Sequence, residues 1–386
     1  MSTKRSALPV LIAFLIFASL ACSLPSLNRS TPEPEIPAET EESPEAETPA
    51  ATNSPSTVLT SAAATIQARM TQPPSQKTTP PQPATPLPGS GALNPAPPEK
   101  PVRLIFIHHS TGEGWLSDDG GGLAIALRDN RYFVSDTNYD WGPTDSALDG
   151  PIGSFTDFGH WWNWFNGPNH EKHMAALYSE SKQSFDYSRL PANPGGANEI
   201  ILFKSCFPNS ALAGKPTDPP TTGNNPLRGQ DAGSDAHTVA NAKGIYLDLL
   251  PYFAEHQEKL FIVITQPPLT RASTDNAQAA NARAFATWLT QDWLRNYPHK
   301  NVAVFDFFTV LTTNGGRTTT NDLNSDKGNH HRFRNGKIEH IIDQGSNFSA
   351  YGSSNDDSHP TPAGGKKATG EFVPLLNIYY HRWKGN

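Results

Sequence analysis

The stretch "RLIFIHHSTGEGWL", residues 103–116, runs apolar from Leu104 to Ile107 and then stops abruptly at His108, His109, Ser110, Thr111 and Gly112. A continuous apolar run, rather than an alternating one, fits a strand covered on both faces, as in a parallel sheet. The segment 102–109 is therefore read as a strand, and four more follow the same pattern: "RYFVSDT" (131–137), "EIILFKSC" (199–206), "KLFIVITQ" (259–266) and "VAVFDFF" (302–308). Helical periodicity lies between them. Val239, Ala242, Tyr246, Leu249, Leu250 and Phe253 recur at three- and four-residue spacing, with Pro251 as a kink. Phe285, Trp288, Leu289 and Trp293 repeat the pattern after Ser273 or Thr274, either of which can serve as N-cap. Strands alternating with helices predict an α/β fold, a three-layer α/β/α sandwich with a mainly parallel five-stranded sheet. Such sheets bind ligands at the carboxyl ends of their strands, and here those ends read "HHSTG", "DTNYDWGP", "KSCFPNS", "TQPPL" and "DFF".

The rest of the chain frames this domain. Residues 1–22 place Lys4 and Arg5 ahead of an apolar run from Leu8 to Leu20, the pattern of a secretory signal. The segment ends in "SLAC", which resembles the lipobox of bacterial lipoproteins with Cys22 as the lipidated residue, although Ser19 stands where Leu is preferred. Residues 23–100 are rich in Pro, Thr, Ser, Ala and Glu, lack any helical or strand period, and are expected to form a disordered tether. A flexible coil of ~75 residues spans about 50 Å root-mean-square. The expected location is extracellular or in the cell envelope, with the membrane reached through the N-terminal lipid alone. Only two cysteines occur, Cys22 and Cys206, so a disulfide framework is not expected. The net charge of -7 and the lack of a long Lys/Arg run argue against nucleic acid as partner. Residues 101–386 form the folded domain, with insertions near 150–195 and 312–351.

Ser110 ends the first strand and precedes a glycine, where a nucleophile meets solvent beside the N–H groups of the next turn. The bland alternative is that Ser110 and Thr111 cap the helix that follows. Far downstream, "NDDSHPTPAGG" sets Asp356 three residues before His359, close enough in a tight turn to fix the imidazole tautomer and leave Nε2 for the serine proton. Asp357 and Asp306 are alternative acids. His108 and His109, with His160, His330 and His331, raise a metal reading, but no ligand spacing supports it, and neither metal nor other cofactor is expected. In "GHWWNWF", Trp161, Trp162 and Trp164 offer a platform for a sugar ring; the competing reading is that they build the insertion's own core. His108 and His109 lie on opposite sides of the strand, so one faces the site, and His109 is a further candidate for substrate binding. Cys206 reads as a small buried residue.

Together these motifs resemble the SGNH (GDSL-type) hydrolase superfamily. "HHSTG" resembles its serine block, with His108 and His109 in place of the usual Gly-Asp, and "DDSH" resembles its final Asp-x-x-His block. The resemblance covers most of 102–380. It implies a flavodoxin-like fold and a serine esterase with Ser110 as nucleophile, His359 as base and Asp356, at the family's spacing, as acid. It also implies an oxyanion hole in which the Ser110 N–H is joined by Gly142 of "YDWGP" and by Asn209, with Ser205 competing for the last role. The implied substrate is a small-molecule or glycan ester, such as an O-acetyl group on a carbohydrate. The rival from another class is a catalytically inactive, carbohydrate-binding surface lipoprotein that uses the Trp-rich insertion.

Overall fold

The computed structural model describes residues 93–313, 330–334, 337–341 and 346–385. The signal segment, Cys22, most of the tether and much of the second insertion lie outside the described residues.

Five parallel strands form the central sheet: β1 (Val102–Ile107), β2 (Tyr132–Thr137), β3 (Ile200–Lys204), β4 (Leu260–Ile264) and β5 (Val302–Phe305), in the order β2-β1-β3-β4-β5. This is the doubly wound, flavodoxin-like order, with its switch point between β1 and β3. Every residue of β1 is buried, because alternate side chains enter opposite layers. Val102, Leu104 and Phe106 pack in one core with Trp115, Leu127, Phe372 and Leu376, while Ile105 and Ile107 pack in the other with Trp161, Phe165, Ile245 and Phe285.

The helices supply these layers. On the first face lie α1 (Ser110–Leu116), α2 (Leu123–Asp129) and, near the end of the chain, α8 (Pro362–Lys384). On the second lie α3 (His160–Phe165), α4 (His170–Ser179), α5 (Val239–Glu255) and α6 (Asn276–Gln291), while the short α7 (Phe307–Thr312) follows β5. Among the described residues no helix is long and apolar enough to cross a membrane. Pro251 sits inside α5 as expected. The cap of α6 is neither Ser273 nor Thr274 but Asp275, whose carboxylate accepts the Gln278 N–H at 2.8 Å. The final expected strand is shorter than its apolar run, because Phe307 and Phe308 already belong to α7.

The first insertion is core. Trp161 and Trp164 are fully buried; their indole N–H groups donate to Ser205 Oγ at 2.8 Å and to the Phe155 carbonyl at 2.7 Å. Trp162 is half-buried beside Arg228. The expected sugar platform on these tryptophans is therefore corrected: α3 needs them to seal the sheet's second face. Trp161→Ala is expected to cost about 3–5 kcal/mol of stability in urea unfolding, since truncating a buried aromatic loses its transfer energy and leaves a cavity. A change below about 1 kcal/mol would contradict that placement.

Candidate active site

Strand register sets the carboxyl ends of β1, β2, β3 and β4 side by side, with Ile107 beside both Thr137 and Phe203, and Phe203 beside Val263. Ser110 follows β1 and Cys206 follows β3, so both stand at the switch point where the strand order reverses. Ser110 opens α1 without capping it. The N-cap is His109, which makes no side-chain cap hydrogen bond. Instead the Ser110 hydroxyl lies 2.8 Å from His359 Nε2 across 249 residues of sequence.

His359 is held by a turn whose frame is backbone. Its carbonyl accepts from the Ser353 N–H at 2.9 Å, Gly352 bridges Pro360, and the Thr361 N–H donates to the Tyr351 carbonyl at 2.7 Å. The Thr270 N–H after β4 donates to Ser358 Oγ at 3.0 Å, latching the turn to the sheet edge. A Cβ at Gly352 would lie 2.6 Å from Thr270 Cγ2 and 2.9 Å from the Asp357 carbonyl, so only glycine fits there. Phe207 meets the imidazole edge-on, with centroids 4.8 Å apart.

The carboxylate on His359 is Asp357, not Asp356. Asp357 Oδ1 accepts both the His359 backbone N–H at 2.9 Å and Nδ1–H at 2.6 Å. An Asp side chain that captures the N–H two residues on forms an Asx-turn, which brings the same oxygen to the imidazole. Asp356 is exposed, and the Ser354 hydroxyl donates to it at 2.6 Å, which holds its carboxyl below the usual range. Asp306 is remote from this arrangement: buried, it caps α7 through the Thr309 N–H and lies 2.8 Å from His340 Nε2. With Nδ1 on Asp357, Nε2 is the ring nitrogen that meets the Ser110 hydroxyl.

The expected oxyanion residues have other hydrogen-bond partners or line another depression. Buried Asn209 uses its amide N–H groups on Asp157 Oδ1 at 2.5 Å and the Cys206 carbonyl at 3.3 Å, while its carbonyl accepts from the Phe158 N–H. It braces the insertion against the turn after β3. Ser205 Oγ accepts the Trp161 indole N–H. Gly142, at φ 86°, lines a separate depression with Asp140, Trp141 and Glu180 that includes neither Ser110 nor His359. What stands beside Ser110 is Cys206, buried, with Sγ 3.8 Å from Ser110 Oγ and 3.3 Å from Thr111 Oγ1.

The paired histidines part to opposite layers. His108 sits 3.0 Å from Asp136 Oδ2, and Asp136 also accepts from the Ser184 N–H and hydroxyl and from the Tyr187 hydroxyl. Burial pushes the Asp136 carboxyl up, but these bonds outweigh it and hold it below the usual range. His109 is a clamp rather than a substrate ligand. Its Nε2–H donates to the Gly153 carbonyl at 2.7 Å, Nδ1 accepts the Thr156 hydroxyl at 3.1 Å, and the ring stacks on Tyr139 at 3.9 Å. His160 Nδ1 accepts the Asp157 N–H, and His330 and His331 both turn to Glu371 of α8. Among the described residues no group of three His, Cys, Asp or Glu is arranged to hold a metal ion.

No protein-family model matches the chain, and no curated protein matches it. Among solved structures it is similar to one described as "The active site of a carbohydrate esterase displays divergent catalytic and non-catalytic binding functions", at 13% identity and a TM-score of 0.25. That likeness covers 55% of this chain and 58% of the other, so this chain spans less than two thirds of that protein's length. The parallel strand order itself is what makes the fold flavodoxin-like.

Burial pushes the His109 imidazole down to about 4, against the bond to Gly153 and the nearby Asp157 charge. An unfolded histidine titrates near 6.5, so between about 6.5 and 4 only the unfolded chain takes up this proton. Its contribution to stability is full above that window and falls as pH drops through it. His109→Gln lacks the group, so its urea-unfolding stability should fall less steeply than wild type between about pH 6.5 and 4.5. Equal slopes would remove the clamp assignment.

Proposed function

We propose that the chain is a serine esterase of the SGNH hydrolase type that cleaves a carboxylic ester, with an O-acyl group on a carbohydrate as the substrate class. The observation that supports this is the line from Asp357 Oδ1 through His359 to Ser110 Oγ, with steps of 2.6 and 2.8 Å. In this reading Ser110 Oγ attacks the acyl carbon as its proton passes to His359 Nε2. The tetrahedral intermediate collapses, the C–O bond to the alcohol breaks, and His359 returns the proton to the leaving oxygen. Water, deprotonated by the same imidazole, then releases the acid from Ser110. Asp357 fixes the tautomer and balances the imidazolium.

The oxyanion donors in this reading are the backbone N–H groups of the first turn of α1, at Ser110 and Thr111, because the N–H groups that open a helix point out of its N-terminal end, beside the serine. In this reading Asn209, whose amide is held by Asp157 and the Cys206 carbonyl, does not serve as the side-chain donor implied by the resemblance. Removing one such donor slows acyl transfer by about 10²–10³, so modest turnover is expected.

The chain should release p-nitrophenol from p-nitrophenyl acetate and react with a fluorophosphonate probe. Ser110→Ala should abolish both, and Asp357→Asn should slow turnover by about 10²–10⁴. Asp356→Asn should leave turnover nearly intact. Turnover that survives Ser110→Ala rejects the assignment, and a chain that is neither labelled nor active supports the rival, a surface protein that keeps the fold without catalysis.

We propose as well that the domain is held in the cell envelope by lipid on Cys22. Metabolic labelling with a palmitate analogue, lost in Cys22→Ala, is the expected result; labelling that persists in the variant overturns it.

A further inference from the structure

Beside the carboxyl end of β2 lies a depression of about 690 Å³, lined among others by Asp140, Trp141, Gly142, Glu180, Lys182 and Gln183. Trp141 is its aromatic wall, and three constraints hold that ring. The indole N–H donates to Glu180 Oε2 at 2.8 Å, the ring lies nearly parallel to buried Trp164 with centroids 6.0 Å apart and planes 6° apart, and the Trp141 carbonyl accepts the Gly153 N–H at 2.8 Å. A Cβ on Gly153 would lie 2.7 Å from Trp141 Cβ, so this close approach requires glycine. Asp140, immediately before the tryptophan, is a non-glycine residue at φ 62°, a conformation that costs energy and turns the loop sharply at the rim. An indole fixed in this way is preorganised as a contact surface, because little freedom remains to be lost on binding.

The polar groups around it indicate what would bind. Three carboxylates line the depression, and two of them, Glu180 and Asp136, are already occupied. Glu180 accepts from the Ser181 and Lys182 N–H groups, both at 2.7 Å, and from Trp141. Asp136 accepts from His108, Ser184 and Tyr187. The other rim groups are Asp140, which accepts the Ser154 hydroxyl at 3.5 Å, Lys182, and Gln183, whose amide donates one N–H to the Tyr187 carbonyl at 2.7 Å: an acid, a base and a neutral amide. A free cation would require unopposed negative charge, and an anion the reverse. A flat aromatic wall ringed by dispersed donors and acceptors of both signs suits a neutral pyranose, which has a C–H face and a rim of hydroxyls.

The same loop is tied to the candidate active site. Tyr139 stacks on His109, and the Asn138 amide donates to Glu113 of α1 at 2.8 Å, so residues 138–141 link the depression to the helix that carries Ser110. We propose that the Trp141 depression is a binding subsite for a neutral sugar ring, the alcohol portion of the ester that Ser110 cleaves. Its role in hydrolysis rests on the esterase reading; the binding itself does not.

The test separates the two. The full chain carrying Ser110→Ala is titrated with neutral xylo- and cello-oligosaccharides, with and without O-acetyl groups, by calorimetry and by following the Trp141 indole N–H resonance, assigned from its loss in Trp141→Phe. Saturable binding to at least one of them, with a shift of that resonance, is expected. Trp141→Ala should weaken it about tenfold or more, while Trp141→Phe, which keeps a flat face, should retain most of it. No binding, binding without a shift of the Trp141 resonance, or a shift produced by tetramethylammonium but by no sugar overturns the subsite. Should Trp141→Ala fail to fold, the resonance titration on the Ser110→Ala chain decides alone. Fluorophosphonate labelling of the wild-type chain judges the esterase reading independently: sugar binding at Trp141 without labelling leaves the subsite standing and removes only its link to hydrolysis.

Discussion

The candidate site depends on one close approach between backbones. Gly365 in the first turn of α8 lies so near Gly121, in the turn between α1 and α2, that a Cβ at Gly365 would sit 2.7 Å from Gly121 Cα. The contact is reinforced by the Trp115 indole N–H, which donates to Thr369 Oγ1 at 3.0 Å, and by the Thr369 hydroxyl, which donates to the Gly121 carbonyl at 2.8 Å. Because α8 is seated there, the turn at 351–361 that leads into it arrives above the carboxyl end of β1, and His359 comes within reach of Ser110. A side chain at Gly365 would lift α8 off this turn and carry the imidazole with it, while one at Gly121 would strike Trp115, whose indole anchors Thr369.

Around that contact the molecule uses buried polar bonds to fix loops that hydrophobic packing alone would leave loose. His109 ties Gly153 and Thr156 to the β1 end, His108 and Asp136 tie segment 184–187 to the opposite layer, and Asn209 with Asp157 ties the first insertion to the turn after β3. Each is a side chain at a strand end reaching a loop from another strand. Buried polar groups of this kind are costly unless fully paired, and their pairing fixes one arrangement of loops over others. The two histidines that stand where the resembled family has Gly and Asp thus have structural partners rather than substrate-facing ones.

Much of the architecture was legible along the chain. Continuous apolar runs gave five strands within two or three residues of their observed bounds, and the alternation with helical periods gave the layers. Misjudged ends have a common cause: residues such as Phe307 and Cys206 are apolar enough to continue a pattern that hydrogen bonding has already ended. At the site, Ser110 and His359 could be named from sequence because each stands at a strand end or turn of recognisable composition. Asp357 was open to discovery in the same way, since an Asx-turn captures the N–H two residues ahead. The tryptophans of α3 were ambiguous in principle, because an aromatic cluster in an insertion reads alike whether it faces solvent or core.

The sequence by itself determined the fold class, the edge of the sheet where loops gather, and the two segments that hold the serine and the histidine, because these follow from periodicity and turn chemistry within a few residues. Only the tertiary structure decided that Asp357 rather than Asp356 holds the imidazole, that Asn209 braces a loop, that Trp161 and Trp164 are core, and that Trp141 lines an open depression. Those outcomes turn on which way a side chain points once distant segments pack. That direction is set by neighbours far away in sequence, which no local pattern encodes.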